Sequence, residues 1–176
     1  FDGWPADEWD AICLNYTSGT TGNPKGVVYH HRGAFLNAMG NIAVWGLNSE
    51  TVYLWTLPMF HCNGWCFTWA VTAMGGTHVC LRQIDTKQVF PMIRDLGINL
   101  VCGAPVVLNM LVHAPGDHKV PFDQKVNVYT GGAAPPSAVI AGMERMGFNV
   151  VHAYGLTETY GPSTYCAWQD DWADLD

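Results

Sequence analysis

Charged side chains are scarce in this chain, where Lys, Arg, Asp and Glu make up 13% of 176 residues. Roughly a quarter is usual for a soluble domain. Only eight residues are Lys or Arg, and they are scattered, whereas binding to a nucleic-acid backbone needs clustered basic side chains. Together with the formal net charge of −7, this argues against nucleic acid as a bulk partner. Because the charge content is low and no Met opens the chain, we expect a piece of a larger protein with some apolar interface.

Other features that the sequence lacks argue against further classes of protein. No apolar run reaches the ~18 residues of a membrane span, and no signal-peptide pattern opens the chain, so we predict a cytoplasmic protein without an integral span. The six cysteines include no C-x-x-C pair, and Cys62 and Cys66 lack a second ligand pair for zinc, so we expect reduced thiols in apolar surroundings. Ser18 lies in no G-x-S-x-G elbow, which disfavours a covalent hydrolase.

The most informative segment that is present is Thr17–Gly26, which follows the apolar run Ala11–Leu14. Its glycines let backbone N–H groups turn inward, its hydroxyls donate hydrogen bonds, and Lys25 adds positive charge. Such a loop suits the phosphates of a nucleotide. It is not the common P-loop, because the spacing is G-x-x-G-x-x-K and Gly26 follows the lysine. A flexible Gly/Thr surface turn is the alternative interpretation.

Helix and strand patterns alternate along the rest of the chain. Apolar residues at helical spacing predict helices over 32–45, 65–74, 86–95, 105–113 and 136–146. Short apolar runs predict strands over 11–17, 51–57, 77–81, 99–102, 126–129 and 149–153. This alternation predicts an α/β fold of three layers, a mostly parallel sheet with helices on both faces. Ligands bind such sheets beyond the carboxyl ends of the strands, where we expect Thr17–Gly26, Gly131–Pro135 and Tyr154–Thr159 to meet.

In their order and separation, these three segments resemble the motifs of the adenylate-forming superfamily, which includes acyl-CoA synthetases, luciferases and the adenylation domains of peptide synthetases. The resemblance covers nearly the whole chain. It implies that residues 1–176 form a single partial domain, the central part of the AMP-binding domain, with an upstream region and the C-terminal domain outside the chain. Within the superfamily, Tyr29–Ala34 is most similar to CoA ligases of short, medium-chain or aromatic acids.

The resemblance implies ATP-dependent activation of a carboxylic acid. The acid would attack the α-phosphate to give an acyl-adenylate and pyrophosphate, and the thiol of coenzyme A would then displace AMP. ATP, Mg²⁺, coenzyme A and a small carboxylic acid are thus the expected ligands, and a homo-oligomer is compatible with this class. An adenylation domain that loads a carrier protein and a non-catalytic nucleotide-binding relative stay open as alternatives.

The resemblance also implies a role for each matching residue. The cradle of the phosphates would be Thr17, Ser18, Gly19, Thr20, Thr21 and Gly22, with Lys25 near the leaving pyrophosphate. The adenine contacts would be Gly132, Ala133, Ala134 and Tyr154, and Gly155 would also belong to the nucleotide site. Thr157 would hydrogen-bond the α-phosphate, and Glu158 would bind the magnesium ion. The acyl pocket would include His61, Trp65, Gly103 and Gly131, with His61 near the reacting carboxylate.

Each of these roles has an ordinary structural alternative. Lys25 and Glu158 are also what a solvated surface would carry, and Tyr154, His61 and Trp65 are also what a packed interior would carry. The functional roles require these side chains to lie around one shared cavity, whereas the structural alternatives do not.

The resemblance implies a ribose-binding aspartate, a hinge arginine and a catalytic lysine beyond the last motif of this chain. We therefore predict that these 176 residues alone do not catalyse the reaction. Acid-dependent pyrophosphate release with a panel of carboxylic acids measures this, and robust turnover by the isolated chain would contradict it.

Overall fold

The computed structural model describes residues 2–18 and 22–174. Its strands are β1 Ala11–Thr17, β2 Lys25–His30, β3 Val52–Trp55, β4 Thr77–Cys80, β5 Leu100–Gly103, β6 Val126–Thr130, β7 Phe148–Leu156 and β8 Gly161–Tyr165. Its helices are α1 His31–Trp45, α2 Cys62–Trp65, α3 Phe67–Ala73, α4 Thr86–Asp95, α5 Pro105–Val112 and α6 Ser137–Arg145. Short 3₁₀ turns cover Gly116–His118, Thr157–Thr159 and Asp170–Asp174.

Six strands form the main sheet in the order β4-β3-β5-β6-β7-β8. The pairs from β4 to β7 are parallel, because a helix carries the chain back across the sheet between successive strands. Only β8 runs antiparallel, pairing with β7 at one edge. The carboxyl ends of the parallel strands therefore share one edge of the sheet.

Helices cover both faces of this sheet. Alternate strand residues such as Leu54, Val101 and Val128 pack against α4, α5 and α6 in one cluster. Their neighbours, including Tyr53 and Tyr129, pack against α1 and α3 in the other. Because successive side chains of a strand point to opposite faces of the sheet, the sheet has one hydrophobic core on each face. The predicted three-layer α/β fold is confirmed.

The placement of the first strand differs from the prediction. We expected β1 in the main sheet, but it pairs antiparallel with β2 in a separate two-stranded sheet. The register sets Thr17 opposite Lys25, so β1 and β2 form a hairpin, and residues 18–24 connect two strands rather than a strand and a helix. A hairpin closes with little loss of chain entropy, and the unforeseen strand β2 follows the loop directly. Gly19, Thr20 and Thr21 of this loop lie outside the described residues.

Two further differences lie near the ends of elements. The helix predicted over 65–74 begins only at Phe67, because a left-handed turn precedes it. The second unforeseen strand, β8, begins Gly161-Pro162, a pair that normally signals a turn. Pro162 is tolerated there because β8 lies at the edge of the sheet. In the described part of the chain, no helix combines the length and apolar character needed to cross a bilayer.

Two glycines of α1 provide a matched pair for testing the packing. A Cβ on Gly33 would enter the ring of Tyr160, 2.7 Å from Cε2 and closer still to Cζ and the hydroxyl oxygen, whereas a Cβ on Gly40 would meet nothing within 4 Å. The Tyr160 ring stacks on Tyr29 with 4.0 Å between centroids, so it cannot move aside cheaply.

We predict opposite effects of the same substitution at these two positions. Gly40→Ala should raise the free energy of unfolding by about 0.5–1 kcal/mol through helix propensity. Gly33→Ala should lower it by about 1–3 kcal/mol through overpacking. Denaturant unfolding curves measure both changes, and a gain of stability at Gly33 would contradict the described contact.

Candidate functional site

A cavity of about 410 Å³ opens at the carboxyl ends of β6 and β7. Pockets that hold small ligands span roughly 300–1,000 Å³. The predicted site residues that line this cavity are Thr17, Ser18, His61, Trp65, Gly131, Gly132, Tyr154, Gly155 and Thr157. They come from four separate stretches of sequence. The structure therefore brings Thr17 and Ser18 of the first motif and parts of both later motifs to one place.

Other predicted residues lie beside this cavity or away from it. Lys25 and Gly22 are exposed on the hairpin, and Glu158 is exposed next to Thr157. Ala133 and Ala134 are also exposed, directly after Gly132. Gly103 is buried, and a Cβ there would lie 3.2 Å from Val107 on the α5 side of the sheet. The predicted acyl-pocket role of Gly103 thus has no support from the cavity.

Glycines let the backbone close tightly around the cavity. A Cβ on Gly131 would lie 2.8 Å from the carbonyl oxygen of Ala153 and 3.1 Å from the indole of Trp65. A Cβ on Gly155 would collide with the carbonyl of Gly161. Because no larger residue fits at either position, the main chain itself forms these walls. Trp65, only 6% exposed, closes the end beside Gly131.

The ring of Tyr154 faces outward and is 58% exposed. The interior position that was the alternative for this residue is therefore wrong. An exposed aromatic face at the cavity can stack on a flat heterocycle, an interaction worth about 1–3 kcal/mol per base in nucleic-acid complexes.

The segment that carries His61, Cys62 and Trp65 has an unusual backbone. Residues 62–66 all have positive φ, between 43° and 63°, and only one of them is glycine. A left-handed conformation costs roughly 1–2 kcal/mol for each non-glycine residue. Strain of this kind persists only where surrounding contacts impose it.

Asn63 anchors this strained turn. Its side-chain oxygen accepts hydrogen bonds from Asn15 Nδ2 at 2.7 Å and from Cys13 Sγ at 2.9 Å, both on β1. On the opposite side, Asn41 of α1 donates to the carbonyl of Trp65 at 2.8 Å. The turn is therefore fixed between the hairpin and α1, and His61 is presented to the cavity.

Thr157 is held by its main chain and faces a thiol with its side chain. Its carbonyl accepts from the Tyr29 hydroxyl at 2.6 Å and from the N–H of Tyr160 at 3.1 Å. Its hydroxyl lies 3.5 Å from the Cys62 thiol. Burial raises the pKa of the Cys62 thiol and that of the Tyr29 hydroxyl, so both groups are neutral at pH 7.

The groups around the cavity fit a magnesium nucleotide. Hydroxyls and main-chain N–H groups of the hairpin and of Thr157 suit phosphate oxygens, and Tyr154 suits the base. Across the described residues, no three His, Cys, Asp or Glu side chains come together as metal ligands. A single carboxylate such as Glu158 is enough for Mg²⁺, which keeps several waters and takes phosphate oxygens as further ligands.

Some residues of the cavity wall were not predicted from the sequence. The cavity residues that sequence reasoning missed are Tyr16, Cys62, Ala153, Leu156, Gly161 and Pro162. Tyr16 and Cys62 are neighbours of predicted residues, so the strand and the motif next to them carried a signal. No sequence pattern indicated Gly161, because its role depends on a φ of +113° and on its close approach to the Trp65 backbone.

Comparisons with known proteins agree with this geometry. The family model "AMP-binding enzyme" matches residues 2–176. Acetate/butyrate–CoA ligase AAE7, a peroxisomal protein of Arabidopsis thaliana, is 55% identical over 172 residues, which are 97% of this chain and 30% of that protein. 2-Methylpropanoate–CoA ligase CCL4 of Humulus lupulus is 52% identical over 171 residues, with the same two coverages of 97% and 30%.

Among solved structures, the inhibitor-bound N-terminal domain of FACL13 from Mycobacterium tuberculosis superposes with a TM-score of 0.79 and 29% identity. The match covers 93% of this chain and 43% of that domain. The chain therefore belongs to the AMP-binding enzyme family. It spans about 30% of the length of the curated relatives it matches.

The thiols provide a test of the described burial. Cys80 and Cys166 are exposed, whereas Cys62 is buried and its pKa is raised. At pH 7 iodoacetamide should label the two exposed cysteines at least about tenfold faster than Cys62, because a raised pKa leaves less of the reactive thiolate. Peptide mass spectrometry follows each site, with all six thiols labelled in denaturant as the control. Equal labelling rates in the folded protein would contradict the described environment of Cys62.

Proposed function

We propose that the parent protein of this chain activates a carboxylic acid with ATP and transfers the acyl group to coenzyme A. The convergence of Thr17–Ser18, Gly131–Gly132 and Tyr154–Thr157 on one cavity carries the proposal. Family membership and relatives named as CoA ligases support it. Residues 1–176 would be the central part of the AMP-binding domain of that enzyme.

The first half-reaction joins two anions, so the site has to offset negative charge and hold geometry. A carboxylate oxygen attacks the α-phosphorus, the bond to the β-phosphate breaks, and pyrophosphate leaves. The hairpin hydroxyls and Lys25 would bind the β- and γ-phosphates, and Thr157 would donate to the α-phosphate. Tyr154 would stack on adenine, beside Gly132. A magnesium ion on Glu158 would neutralise charge on the phosphate oxygens.

In the second half-reaction, the thiol sulfur of coenzyme A attacks the acyl carbon and AMP leaves. His61 is exposed and lines both the first cavity and a second one of about 400 Å³, as does Cys62. This position between two cavities suits a residue that contacts the reacting carboxylate while a thiol approaches. Relatives named as CoA ligases favour coenzyme A over a carrier protein as acceptor.

The acid we propose is short, medium-chain or aromatic. The indole of Trp65 lines the cavity beside Gly131, where this large side chain takes up room that a long acyl chain would need. The relative AAE7 is named for acetate and butyrate, and CCL4 for 2-methylpropanoate. Both names, and the bulk of Trp65 in the cavity wall, favour a small acid over a long acyl chain.

The compartment is a separate prediction. The sequence led us to propose the cytoplasm, whereas the name of the AAE7 relative gives that protein's location as peroxisomal. A peroxisomal parent is therefore the alternative.

Glu158→Gln in the full-length parent tests the proposed role of this carboxylate. The substitution keeps the shape and removes the charge, so acid-dependent pyrophosphate release should fall about 100-fold, the scale of losing one electrostatic contact in a transition state. The Mg²⁺ concentration needed for half-maximal rate should rise. Glu144→Gln, also exposed but on α6, is the matched control and should leave both values unchanged.

Two results would contradict this account in different ways. Full activity of Glu158→Gln would remove Glu158 as the metal ligand while leaving the reaction intact. Absence of acid-dependent pyrophosphate release by the unaltered parent, across short, branched and aromatic acids, would reject the proposed function itself.

A further inference from the structure

We propose that Tyr29 is a positioning residue that keeps the Thr157–Thr159 turn in register with strand β2, which begins at Lys25. The inference rests on the proposed function, because it assigns Tyr29 to adenylate formation at that same site. Tyr29 lies outside the three motifs, and its ring is not part of the cavity wall.

The side chain of Tyr29 joins two distant parts of the chain. It is fully buried on β2, 128 residues before Thr157, and its hydroxyl donates to the Thr157 carbonyl at 2.6 Å. Its ring stacks on Tyr160 with centroids 4.0 Å apart and 26° between the planes. A second bond runs the same way, from the N–H of His30 to the Tyr160 hydroxyl at 3.2 Å. One short stretch of β2 is therefore fastened to the turn that carries Thr157 and Glu158.

This junction has a direct consequence for catalysis. β2 begins at Lys25, where the hairpin loop ends, so any tilt of the hairpin moves Tyr29 as well. The Tyr29 hydroxyl transmits that movement to the main chain of Thr157, whose side chain would contact the α-phosphate. Lys25, which we propose for the β- and γ-phosphates, and Thr157, which we propose for the α-phosphate, are then held in a fixed relation to each other. Misplacement of a reacting group by a fraction of a hydrogen-bond length reduces rate more than affinity.

Removal of the Tyr29 hydroxyl should leave the fold intact. The Thr157 carbonyl keeps the N–H of Tyr160 as a donor, and the ring of a phenylalanine still stacks on Tyr160. Tyr53 provides the matched control, since it is also fully buried. Its hydroxyl makes no hydrogen bond within the described part of the chain and lies near the Cys102 thiol.

The experiment compares the two half-reactions in the full-length parent. Acid-dependent ATP–pyrophosphate exchange reports adenylate formation, and thioester formation from synthetic acyl-adenylate and coenzyme A reports the second step. Tyr29→Phe should lower kcat of exchange about tenfold, the effect of one hydrogen bond on a transition state, with KM for the acid unchanged. Thioester formation should stay within about twofold of the unaltered enzyme. Tyr53→Phe should change neither step.

The split between the steps distinguishes positioning from general support of the fold. Unchanged exchange, or an equal loss in both steps, would overturn the role of Tyr29 while the proposed function stands. No exchange by the unaltered parent with any acid would reject the proposed function, and this inference with it. Melting temperatures establish that each variant is folded.

A second variant decides the question if Tyr29→Phe does not fold. Tyr160→Phe keeps the stack and removes only the acceptor of the His30 N–H, so exchange should fall about threefold with the second step unchanged. Exchange at the unaltered rate in Tyr160→Phe would then overturn the proposal.

Discussion

The hairpin of β1 and β2 shares no strand pairing with the six-stranded sheet, so side chains have to hold it at the edge of that sheet. Two sets of contacts do this within the described residues. Tyr29 joins β2 to the turn at Thr157, and Asn15 with Cys13 joins β1 to Asn63. Both sets are buried or partly buried, where a hydrogen bond that loses its partner leaves a costly polar group. These contacts place Thr17 and Ser18, at the end of β1, beside the ends of β6 and β7, and the cavity lies between them.

The second constraint is the left-handed turn at residues 62–66. Its backbone is unfavourable for four side chains, and contacts from β1 and α1 on either side keep it in place. The same turn presents His61 to the cavity and sets Trp65 against Gly131. The strained backbone therefore lies at the candidate site, and strained residues often cluster at functional sites.

The sequence predicted much of this architecture because its signals are local. The helix over Thr86–Asp95 and the strand Ala11–Thr17 have the predicted bounds, since periodicity and flanking residues specify them. What could not be predicted depends on contacts distant in sequence. The antiparallel partner of β1, the left-handed backbone around Asn63 and the bond from Tyr29 to Thr157 have no local pattern. The roles of motif residues such as Thr17 and Thr157 were predicted from their resemblance to a family. The positioning role proposed for Tyr29 rests only on its contacts in the structure.

The central claim is that segments 17–26, 131–135 and 154–159 bind one nucleotide together. Hydrogen–deuterium exchange of the full-length parent, with and without Mg·ATP, tests this most directly because it reads every segment in one sample. The account predicts that the nucleotide slows amide exchange in all three segments over the same concentration range. Protection confined to one segment, or midpoints that differ between the hairpin loop and the Thr157–Thr159 turn, would contradict it.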